Sequence, residues 1–450
     1  MNNIFLPYYT VSTLLMILML WRYRQSLFAS LIVLMAFNGV FAFWIPRGTQ
    51  LLNIVMVLLS TYLVVHNKVW KYFVYIKYLI VAFSVYSVYF VLTNTLVHTN
   101  DLLLIFSQYS KYYVPFVCLL LFVYYTNIGY IHYYNHLWGT LLLIQILMSV
   151  YKYLLFGGHH WEGMVGTFGD VYGGGIGTGF PLVALCWVAV NSNMDIRKWK
   201  SWLFIAGLLF LGIATGKRAV ILLFPILFMV LSVYVCKKKY SNRVWVVIAA
   251  APLLFYFGVR LTPTFNPENK VWGTFDLEYM LNYTENYAMG EVEEGAEREH
   301  YTGRVGSALA FWKIFKDIDN YTPKTLFGEG LQRAYYTSPG DRDAYNQFGK
   351  DYGLNHRGDI TGVLMTYIAI GMVGVILLVV YCWFLFKIIR YLRLQFVLYF
   401  LVMFDFIFYN FTIIRNPFVC TLMMFVIVYS LVQYSPQGKY SMVSHPYFLQ

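Results

Sequence analysis

Residues 360–386 read ITGVLMTYIAIGMVGVILLVVYCWFLF, 27 positions without one charged side chain. A helix over this stretch reaches about 40 Å, and crossing hydrocarbon takes roughly 20 residues. Comparable runs recur along the 450-residue chain, of which 59% is hydrophobic and 12% charged. A water-soluble fold carries about a quarter charged residues, so too little polar surface is available here to coat one. Inside lipid every backbone donor and acceptor must be satisfied within the segment. The runs are continuous rather than short and alternating, so helices are expected and a barrel is not. Thirteen spans are predicted, near 4–21, 26–45, 50–66, 76–97, 102–125, 129–155, 172–191, 200–215, 219–236, 244–261, 359–386, 396–414 and 417–434. The expected fold is an all-α polytopic membrane protein of about 12–13 transmembrane helices. The first run lacks a basic start and a small-residue cleavage site, so it reads as a retained helix.

Lys and Arg in the connections set the orientation. One alternate set holds Arg22, Arg24, Lys68, Lys71, Lys77, Arg197, Lys198, Lys200, Lys237, Lys238, Lys239, Arg243, Lys387, Arg390 and Arg393, with Asp195 as its one acid. The other holds Arg47, Lys217, Arg218 and Arg415. The first set is expected in the cytoplasm, which makes the net charge of +12 mostly topogenic and gives no reason to expect nucleic acid as a partner. The chain then divides into a helix bundle (1–261), an extracytoplasmic loop (262–358), further transmembrane helices (359–434) and a cytoplasmic tail (435–450). The loop carries 15 of the 21 acidic side chains and 10 basic ones. Within it, near 304–316, Val305, Ala308, Leu309, Trp312 and Phe315 recur at helical spacing. They describe either an amphipathic helix on the outer membrane surface or the core helix of a small loop domain.

All five cysteines fall within or at the ends of apolar runs, so neither a disulfide-stapled loop nor a cysteine metal site is expected. No internal repeat is visible, which weakens a transporter built from two similar halves. Lys111, Lys152 and Asp405 are the charges that would line a polar lumen if the chain were instead a lipid-linked oligosaccharide flippase.

Charges beside spans are functional candidates because the bilayer penalises them. Thr215-Gly216-Lys217-Arg218 puts two cations in a short outer turn, suited to a diphosphate at the surface. A snorkelling pair anchoring a helix end explains the same residues. Residues 157–179 hold ten of the 33 glycines, including Gly166-Thr167-Phe168-Gly169, and suit either an anion-binding nest or a tightly packed re-entrant turn. His159 and His160 are adjacent and do not share a helix face as a zinc pair does, so no metal is expected. In the loop, Arg304, Phe327-Gly328-Glu329-Gly330 with Arg333, and Asn355-His356-Arg357-Gly358-Asp359 offer cations for a diphosphate and Asp359, Glu329 or His356 as general base. Asp359 equally suits helix capping. No Walker A or Rossmann glycine pattern is present, so no nucleotide and no other cofactor is expected. The triplets Asp317-Ile318-Asp319 and Asp341-Arg342-Asp343 arise easily in an acid-rich loop.

The order of these features resembles the O-antigen polymerase (Wzy-type) and O-antigen ligase group of envelope glycosyltransferases. Gly166-Thr167-Phe168-Gly169 looks like the group's glycine-containing outer turn, and Thr215-Gly216-Lys217-Arg218-Ala219 like its small-small-Arg-small motif. Gly303-Arg304 through Gly328-Glu329-Gly330 looks like its Arg-helix-Gly-x-Gly segment, and Asp359-Ile360-Thr361-Gly362 with Gly371-Met372-Val373-Gly374 like the polymerase-type helix start. The resemblance covers about 157–386, and its specificity lies in order and spacing. Ligase-type members carry a His-Asn pair near the position of Ile360, which this chain lacks; that favours polymerase over ligase. The resemblance implies joining of polyprenyl-diphosphate-linked oligosaccharide units into O-antigen, capsule or exopolysaccharide at the outer face of a bacterial cytoplasmic membrane. Lys217, Arg218, Arg304, Arg333 and Arg357 would hold diphosphate, and Asp359 or else His356 would act as base. A flippase and a chain-length regulator would be partners.

Overall fold

The computed structural model describes residues 2–98, 100–156, 165–169, 176–191, 198–215, 218–235, 244–262, 265–289, 303–316, 322–335, 360–389 and 392–433. Most of these residues are helical, and none of them lies in a strand. In chain order the helices are α1 (Asn2–Arg22), α2 (Leu27–Ala36), α3 (Asn38–Trp44), α4 (Gly48–His66), α5 (Lys77–Leu92), α6 (Leu102–Asn127), α7 (Ile131–Phe156), α8 (Ile176–Val190), α9 (Trp199–Ala214) and α10 (Arg218–Val230). They continue with α11 (Val244–Leu261), α12 (Leu277–Met289), α13 (Gly303–Lys316), α14 (Pro323–Phe327), α15 (Leu331–Tyr335), α16 (Gly362–Lys387), α17 (Leu392–Phe408), α18 (Thr412–Arg415) and α19 (Pro417–Gln433).

Six helices among the described residues are long and apolar enough to cross a membrane, or seven if the bent pair α2–α3 counts as one span. Five further apolar helices have 10–17 residues. The surface agrees with a lipid surround: Leu14, Leu18, Leu58, Leu96, Leu154, Phe396 and Phe400 point outward. A protein in water does not expose apolar side chains at this density. The chain is therefore a multi-pass membrane protein.

Each expected span overlaps a helix, and three depart from expectation. The run 26–45 is broken at Phe37, where α2 and α3 meet at 63°. The run 359–386 starts its helix only at Gly362, behind Thr361 at the N-cap position. The run 396–414 stops at Phe408, turns through Phe411 in a left-handed conformation (φ 56°), and restarts as α18.

Helix α19 forms the centre, buried from Pro417 to Leu431. It packs on α6, α8 and α2. Aromatic rings fill the joints, as where Trp138 of α7 meets Phe418 and Phe425 at centroid distances of 5.3 and 6.1 Å. Polar side chains tie helices where lipid offers no alternative partner. Asn135 Nδ2 donates to Asn191 Oδ1 at 3.1 Å, and Asn135 Oδ1 accepts from the Trp187 indole at 3.0 Å. Cys118, Cys186, Cys382 and Cys420 are buried and form no disulfide among the described residues, and Cys236 lies outside the described residues.

Candidate functional site

The glycine-rich segment enters the bundle at residues 165–169. Breaking the chain at Phe37 frees the Ala36 carbonyl, and Thr167 Oγ1 (2.6 Å) and Gln145 Nε2 (3.3 Å) donate to it. The Thr167 amide in turn donates to Gln145 Oε1 at 2.6 Å, and the Gly39 amide donates to the Thr167 carbonyl at 3.0 Å. The Gly166 carbonyl receives Tyr8 Oη at 2.6 Å and Lys152 Nζ at 2.8 Å. Lys152 is 1% exposed, with its ammonium 4.6 Å from the centre of the Tyr8 ring. The described part of this segment is thus a packed plug whose Thr167 amide is already engaged, and the anion-nest reading has no support there. His159, His160 and Gly173–Gly175 lie outside the described residues.

The start of α8 adjoins Thr215, the first residue of the cationic motif. Gly177, at the start of α8, lies against the Thr215 side chain: a Cβ there would sit 2.6 Å from Thr215 Oγ1. Two residues on, a Cβ at Gly179 would sit 2.6 Å from Ile413 and 3.2 Å from Thr412 Oγ1. The start of α8 therefore joins the end of α9, which precedes the cationic turn, to the 412–413 corner. Arg218 opens α10, and Lys217 lies outside the described residues.

The loop returns to the bundle at two points. At the first, α16 is interrupted by Gly371 (φ 70°, ψ −174°), which frees the Ile368 carbonyl. The turn Gly328-Glu329-Gly330 docks into that gap. The amides of Glu329 (2.7 Å) and Gly330 (3.2 Å) both donate to the Ile368 carbonyl. Gly328 has φ 80° and backbone atoms of residues 368–371 within 2.8 Å of where its Cβ would be, so only glycine fits. Around the joint, Tyr89 Oη donates to the carbonyls of Leu326 (3.1 Å) and Ile370 (2.8 Å), and His98 Nε2 lies 3.0 Å from the Phe327 carbonyl. Asn94 Oδ1 accepts the Leu331 amide at 3.2 Å, and Asn100 Oδ1 accepts the Gln332 amide at 3.1 Å. The π-helical turn Thr93–Val97 belongs to this socket.

Glu329 sits between two cations: Lys324 Nζ at 3.0 Å and Arg333 Nε at 3.7 Å. Arg333 thus lies beside Glu329, and the three charges stand at the rim of the socket.

At the second point, Ser307 of α13 is hydrogen-bonded to the start of α16. The Thr361 amide donates to Ser307 Oγ at 2.9 Å, and the two hydroxyls stand 3.1 Å apart. Arg304 lies on the same helix one turn before Ser307, and Asp359 lies two residues before Thr361 in sequence. His356, Arg357 and Asp359 are outside the described residues. Thr361 takes the N-cap position without a side-chain cap bond, and Asp359 lies two residues before it in sequence.

Helix α13 has the expected exposed stripe of Leu309, Trp312 and Phe315, the last two stacked at 5.5 Å. Among the described residues nothing buries the stripe. It points away from the protein, while Gly306, Ser307 and Ala310 face inward and Phe311 meets Tyr367 of α16 at 6.1 Å. This favours the membrane-surface reading.

The socket residues Tyr89, Asn94, His98 and Asn100 escaped the sequence reading. Their signal was a polar run, Thr93-Asn94-Thr95, closing an otherwise apolar span. Among the described residues no cluster of three or more His, Cys, Asp or Glu is placed to hold a metal. Comparison with protein-family models and with curated proteins finds no match to this chain.

Proposed function

We propose that the chain is a polymerase of polyprenyl-diphosphate-linked oligosaccharide units acting at the outer face of a bacterial cytoplasmic membrane. The observation carrying this reading is the double attachment of the loop to α16. The joints Gly328–Gly371 and Ser307–Thr361 bring the segments bearing Arg304, Glu329 and Arg333 onto the first ten residues of one helix, whose start Asp359 precedes in sequence. A loop that only linked two spans would need neither joint. Orientation by Lys and Arg puts that face outside.

The chemistry follows from those residue types. A sugar hydroxyl of one unit attacks the anomeric carbon of another, and the bond from that carbon to the diphosphate oxygen breaks. The hydroxyl proton passes to Asp359, or to His356 if the base is the histidine. The bond electrons leave with the polyprenyl diphosphate, whose charge Arg218, Lys217, Arg304 and Arg357 neutralise. The donor carries its own activation, so no nucleotide is needed. Arg333, engaged with Glu329, would contribute to the rim rather than grip the leaving group outright. A flippase and a chain-length regulator would act on either side of this step.

The flippase alternative loses two of its three lumen charges: Lys152 holds the Gly166 carbonyl, and Asp405 caps α18 through Thr412 Oγ1 (3.0 Å) and the Ile413 amide (2.7 Å). A deletion strain separates the readings. Surface glycan truncated to single repeats is the expected phenotype. Free lipid-linked polymer would indicate a ligase, and units trapped on the cytoplasmic face a flippase.

A further inference from the structure

Helix α11 turns one face outward. Ala249, Pro252, Leu253 and Phe257 are exposed at helical spacing, while Gly258 and Val259 lie against Ile221 of α10. On a membrane-spanning helix such a stripe meets lipid. The stripe does not stop where the helix does. The Trp272 ring stacks on Phe257 at 5.8 Å, and the Phe275 ring meets Tyr256 at 5.2 Å and Phe255 at 6.1 Å. Val271, Trp272, Phe275, Leu277 and Leu281 are all exposed, Trp272 to 48% and Leu281 to 55%. The start of the large loop therefore extends the apolar outer surface of the span.

The turn that presents these side chains is tightly built. The Gly273 amide donates to the Arg260 carbonyl at 3.1 Å, and Arg260 Nε donates back to the Gly273 carbonyl at 2.8 Å. Asn266 Oδ1 accepts the Lys270 amide at 3.2 Å, and Asn266 Nδ2 donates to the carbonyls of Thr262 (3.1 Å) and Lys270 (2.9 Å). Trp272 is held at φ 65°, a left-handed conformation that glycine takes freely and a bulky side chain resists. A tryptophan kept there with half its surface uncovered does not fill a core. Strain of this kind persists where the side chain itself serves a purpose. The Arg260 guanidinium lies 4.3 Å from the Trp272 ring centre, and its Nη1 donates to Tyr256 Oη at 2.8 Å. Tryptophan, tyrosine and a long cation at the end of a span match the boundary between headgroups and acyl chains, where each has one apolar and one polar part to satisfy.

Helix α12 carries the same pattern further. Met280 is buried with Ile221, Val259 and Phe265. By helical geometry Leu277 and Leu281 lie beside that face, one turn apart, and Glu278 and Glu285 lie beyond them. All four are exposed. A buried face, an exposed apolar face and an exposed acidic face, in that order around the axis, describe a helix lying along a bilayer surface. Helix α12 also packs on α13, whose stripe of Leu309, Trp312 and Phe315 is exposed as well.

We propose that residues 271–281 are an interfacial anchor whose partner is the phospholipid leaflet at the end of α11. The Trp272 ring, Leu277 and Leu281 enter the edge of the acyl region, and the Glu268–Lys270 ion pair (2.7 Å) at the tip of the turn stays in water. The large loop thus begins bound to lipid and sets the depth at which α12 and α13 lie. A second protein on this surface would also have to cover the stripe of α11 with which it is continuous. The proposal is independent of the polymerase reading and of which side the loop occupies.

The test is nitroxide accessibility in the full-length protein, reconstituted in vesicles of phosphatidylethanolamine and phosphatidylglycerol. Leu277→Cys, Leu281→Cys, Asn269→Cys and Glu278→Cys are spin-labelled, and the signal of the labelled parent is subtracted. Oxygen, which concentrates in the acyl region, should relax the labels at 277 and 281 at least threefold more than a water-soluble nickel chelate does, with the reverse at 269 and 278. Nickel chelate dominating at 277 and 281, or equal ratios at all four positions, overturns the proposal. Labels at 277 and 281 shielded from both reagents also overturn it, in favour of a protein contact such as a second copy of the chain. The two leucine positions report independently, so a variant that thermal unfolding shows to be misfolded leaves the other to decide.

Discussion

Adding one methyl group at Gly328 should undock the loop from α16. The residue has φ 80°, and holding a non-glycine residue in the left-handed region costs roughly 1–2 kcal/mol. The new Cβ would also stand 2.6 Å from the Gly371 nitrogen and 2.8 Å from the Ile368 oxygen and Ile370 nitrogen. These are backbone atoms of a packed helix and do not swing aside, so overpacking adds about 1–3 kcal/mol. Gly129 provides the control: it has φ 85° and nothing within 4 Å of its would-be Cβ, so Gly129→Ala carries the conformational term alone. Together the conformational and overpacking terms at Gly328, about 2–5 kcal/mol, correspond to a roughly 30- to 5,000-fold rise in the opening equilibrium of the joint. Amide hydrogen exchange reads this directly, because the Glu329 and Gly330 amides are protected by the Ile368 carbonyl. In Gly328→Ala, exchange over 322–335 should accelerate by that factor while α19 is unchanged. In Gly129→Ala, the same segment should exchange as in the parent. Equal exchange in Gly328→Ala and the parent would show that the turn is not seated in the helix gap, and the reasoning would fail.

Arg218→Ala should lower polymerisation at least tenfold with normal membrane insertion, since a charge-assisted contact is worth roughly 1.5–3 kcal/mol, and Arg218→Lys should recover only part because the bidentate grip is lost. Full activity in the alanine variant would remove Arg218 from the site. Asp359→Asn should abolish glycan extension while leaving thermal unfolding of the protein unchanged, because Thr361 rather than Asp359 occupies the N-cap position of α16. If Asp359→Asn extends normally and His356→Ala does not, the base is His356 and the ligase reading gains. Single-cysteine labelling with an impermeant reagent in intact cells should mark position 290 and spare position 238; the opposite pattern would invert the orientation.

Much of the fold was legible because lipid leaves so few options. An uncharged stretch such as 363–386 must be helical, and apart from the break at Gly371 it is. Breaks inside spans were harder to read. The bend at Phe37 is followed by Asn38-Gly39, but the partner that satisfies the freed Ala36 carbonyl, Thr167, lies 131 residues away. Gly371 was visible as a glycine, but glycine is common in membrane helices, and its positive φ is meaningful only once Gly328 fills the gap. Helix α13 was found from its apolar period. Its inward face was missed because Gly306, Ser307 and Ala310 follow the same helical spacing with side chains too small to register as hydrophobic. In the candidate site, Arg333 was expected as a diphosphate ligand and is found beside Glu329, a partner four residues back that the sequence offered openly. Lys152 and Asp405 were flagged for their charge, and structure gives both to backbone groups.

The central claim is tested most directly with the purified protein in proteoliposomes, supplied with one synthetic polyprenyl-diphosphate-linked repeat unit and no nucleotide sugar. The account predicts a ladder of lipid-linked products spaced by one repeat, with one free polyprenyl diphosphate released per bond formed, and no ladder from Asp359→Asn. Substrate carried unchanged from one leaflet to the other, with no product longer than a single repeat and no diphosphate released, would contradict it.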